Sequence, residues 1–118
     1  MKAVNRSKNT VLAERLILAA TFRERLVGLI GTDRLERGSG LLLIPCRAVH
    51  TYFMRYAIDA VYLDGSGRVV KVIDTMLPYT FGPVVKEARA VLELPAGTCR
   101  GTSTEEGDLF EFVQEVGI

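Results

Sequence analysis

Apolar positions recur with two different periods along the first third of the chain. The stretch 13-AERLILAA-20 is apolar enough for a strand, and the residues after it change to the spacing of a helix. Thr21 is followed three positions later by Glu24, which is the spacing of a capping box and predicts a helix over 22–30. The apolar stripe of this helix, which we expect to pack on a sheet, consists of Phe22, Leu26, Leu29 and Ile30. Gly31 then suits the left-handed conformation that ends many helices.

From residue 41 onward, apolar and polar positions follow the patterns of strands. The run 41-LLLIP-45 is apolar and ends at a proline, and residues 49–56 then alternate in polarity with a period of two, which predicts a strand. Residues 57–63 and 68–73 flank Asp64-Gly65-Ser66-Gly67, whose glycines accommodate the positive φ of a tight connection. This arrangement predicts a β-hairpin.

Two further strand patterns follow in the last third, at 89–95 and 109–116. They are separated by 96–108, which is rich in glycine, threonine and charge and is typical of a loop. Many short strands with one helix predict a mainly β fold, a sandwich or partly open barrel with one short helix packed on it. The length of 118 residues predicts a single domain, 1–118, with its core between about residues 13 and 113.

The composition is that of a soluble globular protein, with 48% hydrophobic and 25% charged residues. No apolar run approaches the roughly 18 residues that a membrane span needs. The first 20 residues carry Glu14 and Arg15 where a signal peptide needs an uninterrupted apolar segment, so we expect a cytoplasmic location. The net charge is only +1 and no basic cluster is interleaved with aromatics, so no nucleic-acid surface is expected.

The stretch 46-CRAVHTYFMRYAIDAVYLDGSGRVV-70 concentrates the side chains that could form a site. A strand of this mixed composition at the mouth of a sandwich would offer apolar surface with several hydrogen-bond donors, as in a small-ligand pocket. The ligand-binding candidates are Arg47, His50, Thr51, Met54, Arg55 and Asp59. Asp59 also has a structural interpretation, because a half-buried carboxylate needs Arg47, Arg55 or backbone hydrogen bonds as partners.

Patterns for metal binding and catalysis are weak. Cys46, His50 and Cys99 could be ligands but lack the paired spacing of a zinc site, so no metal is expected and the identity of any cofactor stays open. Two cysteines in a cytoplasmic protein are most often buried free thiols. His50 and Asp59, with or without Cys46, supply the residue types of a hydrolase, but a catalytic triad is recognised by its geometry. An enzyme acting through His50 and Asp59 is therefore the alternative hypothesis.

Several motifs occur in an order that resembles a known family. They are GLIG (28–31), GSGLLLIPC (38–46), HTYFMRYAIDAVYLD (50–64), GRVVKV (67–72), AVLELPAG (90–97) and EGD (106–108). Together they are similar to the small bacterial and archaeal family of domain of unknown function 192, over about residues 13 to 113. The residues that match its pattern are Gly28, Leu29, Gly40, Phe53, Met54, Arg55, Asp59, Asp64, Leu92, Glu93, Gly97, Gly107 and Asp108.

The resemblance implies a single β-rich domain, similar to a jelly-roll-like sandwich with a short helix packed on it, and it implies no activity. Many members carry a tryptophan near the position of Tyr52 and Phe53 and a proline in place of Ala57, and this chain departs from them in both. Many members also begin with an export signal, which we do not expect in this chain. We expect a small non-enzymatic accessory or ligand-binding domain that recognises a small polar molecule or a protein partner. Association of copies through an edge strand is compatible with either role.

Overall fold

Residues 1–114, the part of the chain that the computed structural model describes, form eight strands and two short helices. In chain order they are β1 (Lys2–Asn5), β2 (Thr10–Ala13), β3 (Arg15–Ala19), α1 (Phe22–Val27), β4 (Ser39–Leu43), β5 (Ile58–Leu63), β6 (Val69–Met76), β7 (Ala90–Pro95), α2 (Thr98–Gly101) and β8 (Phe110–Val113). The prediction of a mainly β fold is confirmed. The sequence patterns did not reveal β1, β2 or α2, and the end of the predicted strand 109–116 lies outside the described residues.

The strands form two sheets that pack against each other without closing into a barrel. The smaller sheet has the order β2-β1-β8 and joins segments from near both ends of the chain. The larger sheet has the order β3-β4-β7-β5-β6, in which β3 and β4 are parallel and all other neighbours are antiparallel. Strands β5 and β6 form the predicted hairpin, where Asp64 accepts hydrogen bonds from the backbone N–H groups of Ser66 and Arg68.

Side chains of the larger sheet alternate between two apolar cores, one on each face. The sandwich core lies between the two sheets and contains, among others, Ala3, Leu12, Leu42, Val61, Leu92 and Phe110. The covered core lies on the opposite face and contains, among others, Leu29, Leu41, Val49, Met54, Tyr62 and Val91. Within residues 1–114 no second sheet covers this outer face. Its cover comes from the chain after α1 and from the connections that follow β4 and β6.

Helix α1 begins as predicted but is shorter. Thr21 and Glu24 form the predicted capping box, in which each side chain accepts a hydrogen bond from the backbone N–H of the other residue. The helix ends at Val27, not at residue 30, because Gly28 turns the chain with φ 51° and ψ −122°. Gly31 also has a positive φ of 87°, but it lies beyond the end of the helix.

The predicted apolar stripe of α1 is only partly buried. Leu29, which follows the helix, packs in the covered core, whereas α1 itself has no buried residue. Five apolar side chains of the helix and of the edge strand β3 are exposed, namely Ile17, Leu18, Phe22, Leu26 and Val27. Within residues 1–114 no helix has the length and apolar character to cross a membrane.

The predicted strand over 49–56 is wrong. His50 makes a single bridge to Phe81, and the rest of this segment is irregular. Phe53 adopts a left-handed φ of 65°, and a turn closes there when the backbone N–H of Met54 donates to the carbonyl oxygen of Thr51. Because a turn interrupts the segment, its alternating polarity does not place side chains on opposite faces of a strand. The segment instead lies over the covered core of the larger sheet.

Candidate functional site

The candidate site is built around Glu93, which lies on the middle strand of the larger sheet. Leu92 faces the sandwich core, so the alternation of β7 turns Glu93 to the covered face together with Val91. Glu93 is paired with Leu41 of β4 on one side and with Ala60 of β5 on the other. Strands on both sides and the covering segments above leave Glu93 only 2% exposed.

The Glu93 carboxyl group has no hydrogen bond and no ion pair with any residue of the described chain. Burial in apolar surroundings disfavours the charged form and raises the pKa of Glu93 from 4.5 to about 8. Most Glu93 side chains are therefore protonated at neutral pH. The other buried acids among residues 1–114, Asp59 and Asp108, differ because each accepts at least two hydrogen bonds from the protein.

A cavity of about 250 Å³ opens over Glu93, between the α1 region and the segment after β4. Its buried apolar lining consists of Leu29, Leu43, Val49 and Met54. Gly28 lies at the approach to the acid, since a Cβ atom at this position would lie 3.7 Å from Glu93 Oε1. The positive φ of Gly28 also favours glycine, so the residue that turns the chain leaves the space before the carboxyl group open.

Three other polar side chains reach the cavity wall. The Cys46 thiol donates a hydrogen bond to a backbone carbonyl at 3.0 Å, and burial raises its pKa, so it stays a thiol at neutral pH. His50 Nδ1 accepts a backbone N–H at 3.2 Å, and the Arg25 guanidinium donates to a backbone carbonyl at 2.6 Å. Each of these side chains is held by the backbone, and none of them bonds to the acid on the floor.

The structure distributes the six predicted ligand-binding residues among three places. His50 and Met54 line the cavity. Arg47 and Arg55 lie outside it, where the first donates to a backbone carbonyl and the second forms an ion pair with Asp33. The remaining two, Thr51 and Asp59, are completely buried and form hydrogen bonds within the fold. A role in ligand binding stays a prediction for all six, but the cavity brings only two of them together.

His50 and Asp59 do not form a catalytic pair. Asp59 accepts backbone N–H groups from Thr75 at 2.8 Å and from Cys99, a member of the sandwich core, at 2.9 Å. His50 lines the cavity on the other face of the larger sheet. The sheet therefore separates the two side chains, and the geometry that a hydrolase would need is not met. Backbone hydrogen bonds, not Arg47 or Arg55, satisfy the Asp59 carboxylate.

The cysteines are likewise separated, and the structure gives both as free thiols. Cys46 lies beside the cavity, whereas Cys99 belongs to the sandwich core. In the described part of the chain, no group of three or more His, Cys, Asp or Glu side chains is arranged to hold a metal ion.

An exposed aromatic surface adjoins the cavity at His50. Its five rings have neighbouring centroids between 4.5 and 6.2 Å apart, and they belong to His50, Tyr52, Phe53, Tyr79 and Phe81. Thr51 joins the two contributing loops through its backbone, which bonds to Tyr79 and Thr80. Its hydroxyl adds two further bonds, because it donates to the carbonyl of Leu77 at 2.5 Å and accepts the N–H of Thr80 at 3.0 Å.

Sequence reasoning missed Glu93 and Gly28 as site residues, although both match the family pattern. A glutamate at an alternate position of 90-AVLELP-95 is typical of a side chain that faces solvent from one side of a sandwich. The available signal was the apolar run itself, because residues on both sides of the glutamate suit a strand that is covered on both faces. An acid in such a strand must be buried, which makes it a candidate for function.

Comparisons with known proteins agree with the resemblance. The family model described as DUF192, Uncharacterized ACR, matches residues 3–112. A UPF0127 protein of Pyrococcus horikoshii is 30% identical over 110 residues, which cover 89% of this chain and 93% of that protein. A UPF0127 protein of Thermococcus kodakarensis is 29% identical over 114 residues, with coverage of 92% and 71%. A solved structure of a protein of unknown function from Novosphingobium aromaticivorans has a similar fold, with a TM-score of 0.82, 23% identity and coverage of 94% and 82%.

Proposed function

This chain belongs to the family of domain of unknown function 192, and from that premise we propose that it is a small binding domain that holds a small molecule in the cavity over Glu93. The observation that carries the proposal is a carboxyl group on the floor of a cavity, which has no hydrogen-bond or ion-pair partner in the described chain. The same chain gives Asp59 and Asp108 their partners, so a ligand that bonds to Glu93 would supply a partner that the fold itself does not.

The cavity has the general character of a ligand site. Such sites are concave, mostly apolar and contain a few polar groups that fix the orientation of the ligand. A volume of about 250 Å³ lies just below the roughly 300 Å³ at which pockets for drug-sized molecules begin, so it suits a smaller molecule. A buried titratable group with a strongly shifted pKa in a cavity is also a recognised marker of function.

A binding role is favoured over hydrolysis because the cavity lacks an activated nucleophile. The Cys46 thiol is protonated at neutral pH and already donates its hydrogen to a backbone carbonyl. A cysteine nucleophile needs a lowered pKa or a hydrogen bond to a base, whereas the pKa of Cys46 is raised and its hydrogen bond goes to a backbone carbonyl.

A thermal-shift screen of small molecules against three proteins tests the proposal. They are the wild type, Gly28→Ala, whose new methyl group would lie over Glu93, and Gly31→Ala, which also has a positive φ but has no atom within 4 Å of its added Cβ. We expect ligands that raise the melting temperature of the wild type and of Gly31→Ala and have a much smaller effect on Gly28→Ala. Ligands that stabilise all three proteins equally would overturn the proposal.

A further inference from the structure

We infer that the molecule held over Glu93 is a primary amine with a short apolar body, whose ammonium group pairs with the Glu93 carboxylate. This inference rests on the proposed function and adds the chemical class of the ligand. It follows from what the floor of the cavity lacks, from what its walls provide, and from the other charged groups that face the acid.

The floor offers at most the one O–H group of the neutral Glu93, and it offers no hydrogen-bond donor once Glu93 is ionised. A carboxylate is purely an acceptor, with two oxygen atoms, and an ammonium group offers three donors together with the opposite charge. Hydrogen bonds between ionised groups are about twice as strong as those between neutral groups, so an ammonium group fits this single buried acid better than a hydroxyl does. The buried acids that the fold itself stabilises also receive donors, namely N–H groups for Asp59 and the Lys8 ammonium group for Asp108.

The walls favour a hydrocarbon body. Next to the acid lie Leu29, Leu43, Val49 and Met54, which are buried and apolar. At the outer end the cavity reaches Phe22 and Leu26, whose side chains are 74% and 58% exposed. An apolar chain attached to the amine would cover some of this surface, and each buried methylene group contributes about 0.8 kcal/mol.

The other charged and titratable side chains around Glu93 do not bond to its carboxyl group, so they leave room for a ligand ammonium group beside it. They are Arg25, Cys46, His50, Tyr56 and Tyr62. Cys46 and Tyr62 already donate to backbone carbonyls, and the Tyr56 hydroxyl bonds to Thr32. Arg25 is held at the wall by its bond to a backbone carbonyl and makes no ion pair with the acid. A carboxylate ligand would meet only the single O–H group of the neutral Glu93 and would lose that bond as Glu93 ionises, so an amine fits this acid better.

Binding an amine exchanges one proton with the solvent. The free protein carries a neutral Glu93, and the complex contains a carboxylate and an ammonium ion, so the carboxyl proton leaves to the buffer and the ligand keeps all of its own. Below the pKa of Glu93, which is about 8, each fall of one pH unit should weaken amine binding by about tenfold. Above that pH the affinity should stay level until the amine itself loses its proton at about pH 10.

The test compares three probes of equal length, n-pentylamine, 1-pentanol and pentanoate, by backbone amide NMR titration near neutral pH. The wild type is compared with Glu93→Gln, which keeps the shape of the side chain without its titrating proton, and with Glu87→Gln, which alters an exposed acid outside the cavity lining. We expect pentylamine to shift the cavity residues and to bind about tenfold or more tightly than pentanol. The preference for pentylamine over pentanol should persist in Glu87→Gln and disappear in Glu93→Gln.

The outcomes separate this inference from the proposed function. If all three probes shift the cavity residues with similar affinity, the cavity binds ligands but the amine class is wrong. If pentylamine binds equally well to the wild type and to Glu93→Gln, the pairing with Glu93 is wrong. If none of the probes shifts the residues that line the cavity, the proposed function fails together with the inference.

Discussion

Two buried acids on neighbouring strands show how far the surroundings decide the role of a residue. Asp59 faces the sandwich side, where two backbone N–H groups satisfy its carboxylate. Glu93 faces the covered side and has no donor in the described chain. Asp59 attracts attention in the sequence because it follows a polar and aromatic stretch, whereas Glu93 looks like an ordinary alternate residue of a strand. The apolar run around Glu93 indicates a strand covered on both faces, but local pattern cannot show what covers it, since the covering segments come from distant parts of the chain.

The free energy of unfolding should depend on pH through Glu93. The unfolded chain ionises this residue near 4.5 and the folded chain only near 8, so the folded state binds more protons between these values. The contribution of Glu93 to the free energy of unfolding is therefore fully present below about pH 4.5. It falls as the pH rises from there, by up to about 1.4 kcal/mol per pH unit. Chemical denaturation across this range should show the decline in the wild type and a clearly shallower one in Glu93→Gln. Parallel curves for the two proteins would contradict the buried, unpaired state of the acid.

Replacement of Asp59 by asparagine should destabilise the fold without any ligand being involved. One of its oxygen atoms becomes an NH₂ group that faces a backbone N–H donor, and a lost buried hydrogen bond costs about 1–3 kcal/mol. Asp74→Asn is the matched control, because Asp74 is exposed and pairs with Arg100 at the surface. Urea denaturation should show this loss in the free energy of unfolding for Asp59→Asn. For Asp74→Asn the free energy of unfolding should change by no more than about 0.5 kcal/mol. Equal effects would refute the structural role of Asp59.

At the scale of the elements, the parts that sequence could predict are those with local causes. The capping box of α1 and the turn between β5 and β6 depend on residues two to four positions apart, and both are observed. The segment after β4 could not be predicted in this way. Its alternation suggests a strand, but a left-handed Phe53 and tertiary bonds from Thr51 to another loop override that pattern.

The bonds of Thr51 predict a specific loss of order in the aromatic surface. Thr51→Val keeps the backbone bonds between the two loops but removes the two bonds of the hydroxyl. The N–H of Thr80 then lacks that acceptor, which should cost about 1–3 kcal/mol. Thr80→Val makes the same chemical change where the hydroxyl reaches only a carbonyl at 3.5 Å. Hydrogen exchange should become faster at residues 50–54 and 77–81 in the first variant and change little in the second. Unchanged exchange in Thr51→Val would contradict this account of the loops.

At the scale of the whole molecule, the two faces of the larger sheet have different structures. One face packs against a second sheet through regular alternation, which gives a continuous apolar core. The other face is covered by irregular segments, and the cavity lies where α1 and the segment after β4 meet over the sheet. Binding residues commonly lie on loops that a rigid scaffold positions, and here the middle strand of that scaffold supplies the acid.

The most direct test is a pH titration of Glu93 monitored by NMR. The protein is labelled with ¹³C at its glutamate side-chain carboxyl groups, and the Glu93 signal is assigned by comparison with Glu93→Gln. We expect one carboxyl signal, absent from the variant, whose titration midpoint lies near pH 8. A bound amine should lower this midpoint. A midpoint near 4.5 would show that the acid is solvated or paired in solution. It would remove the basis for a ligand site over Glu93.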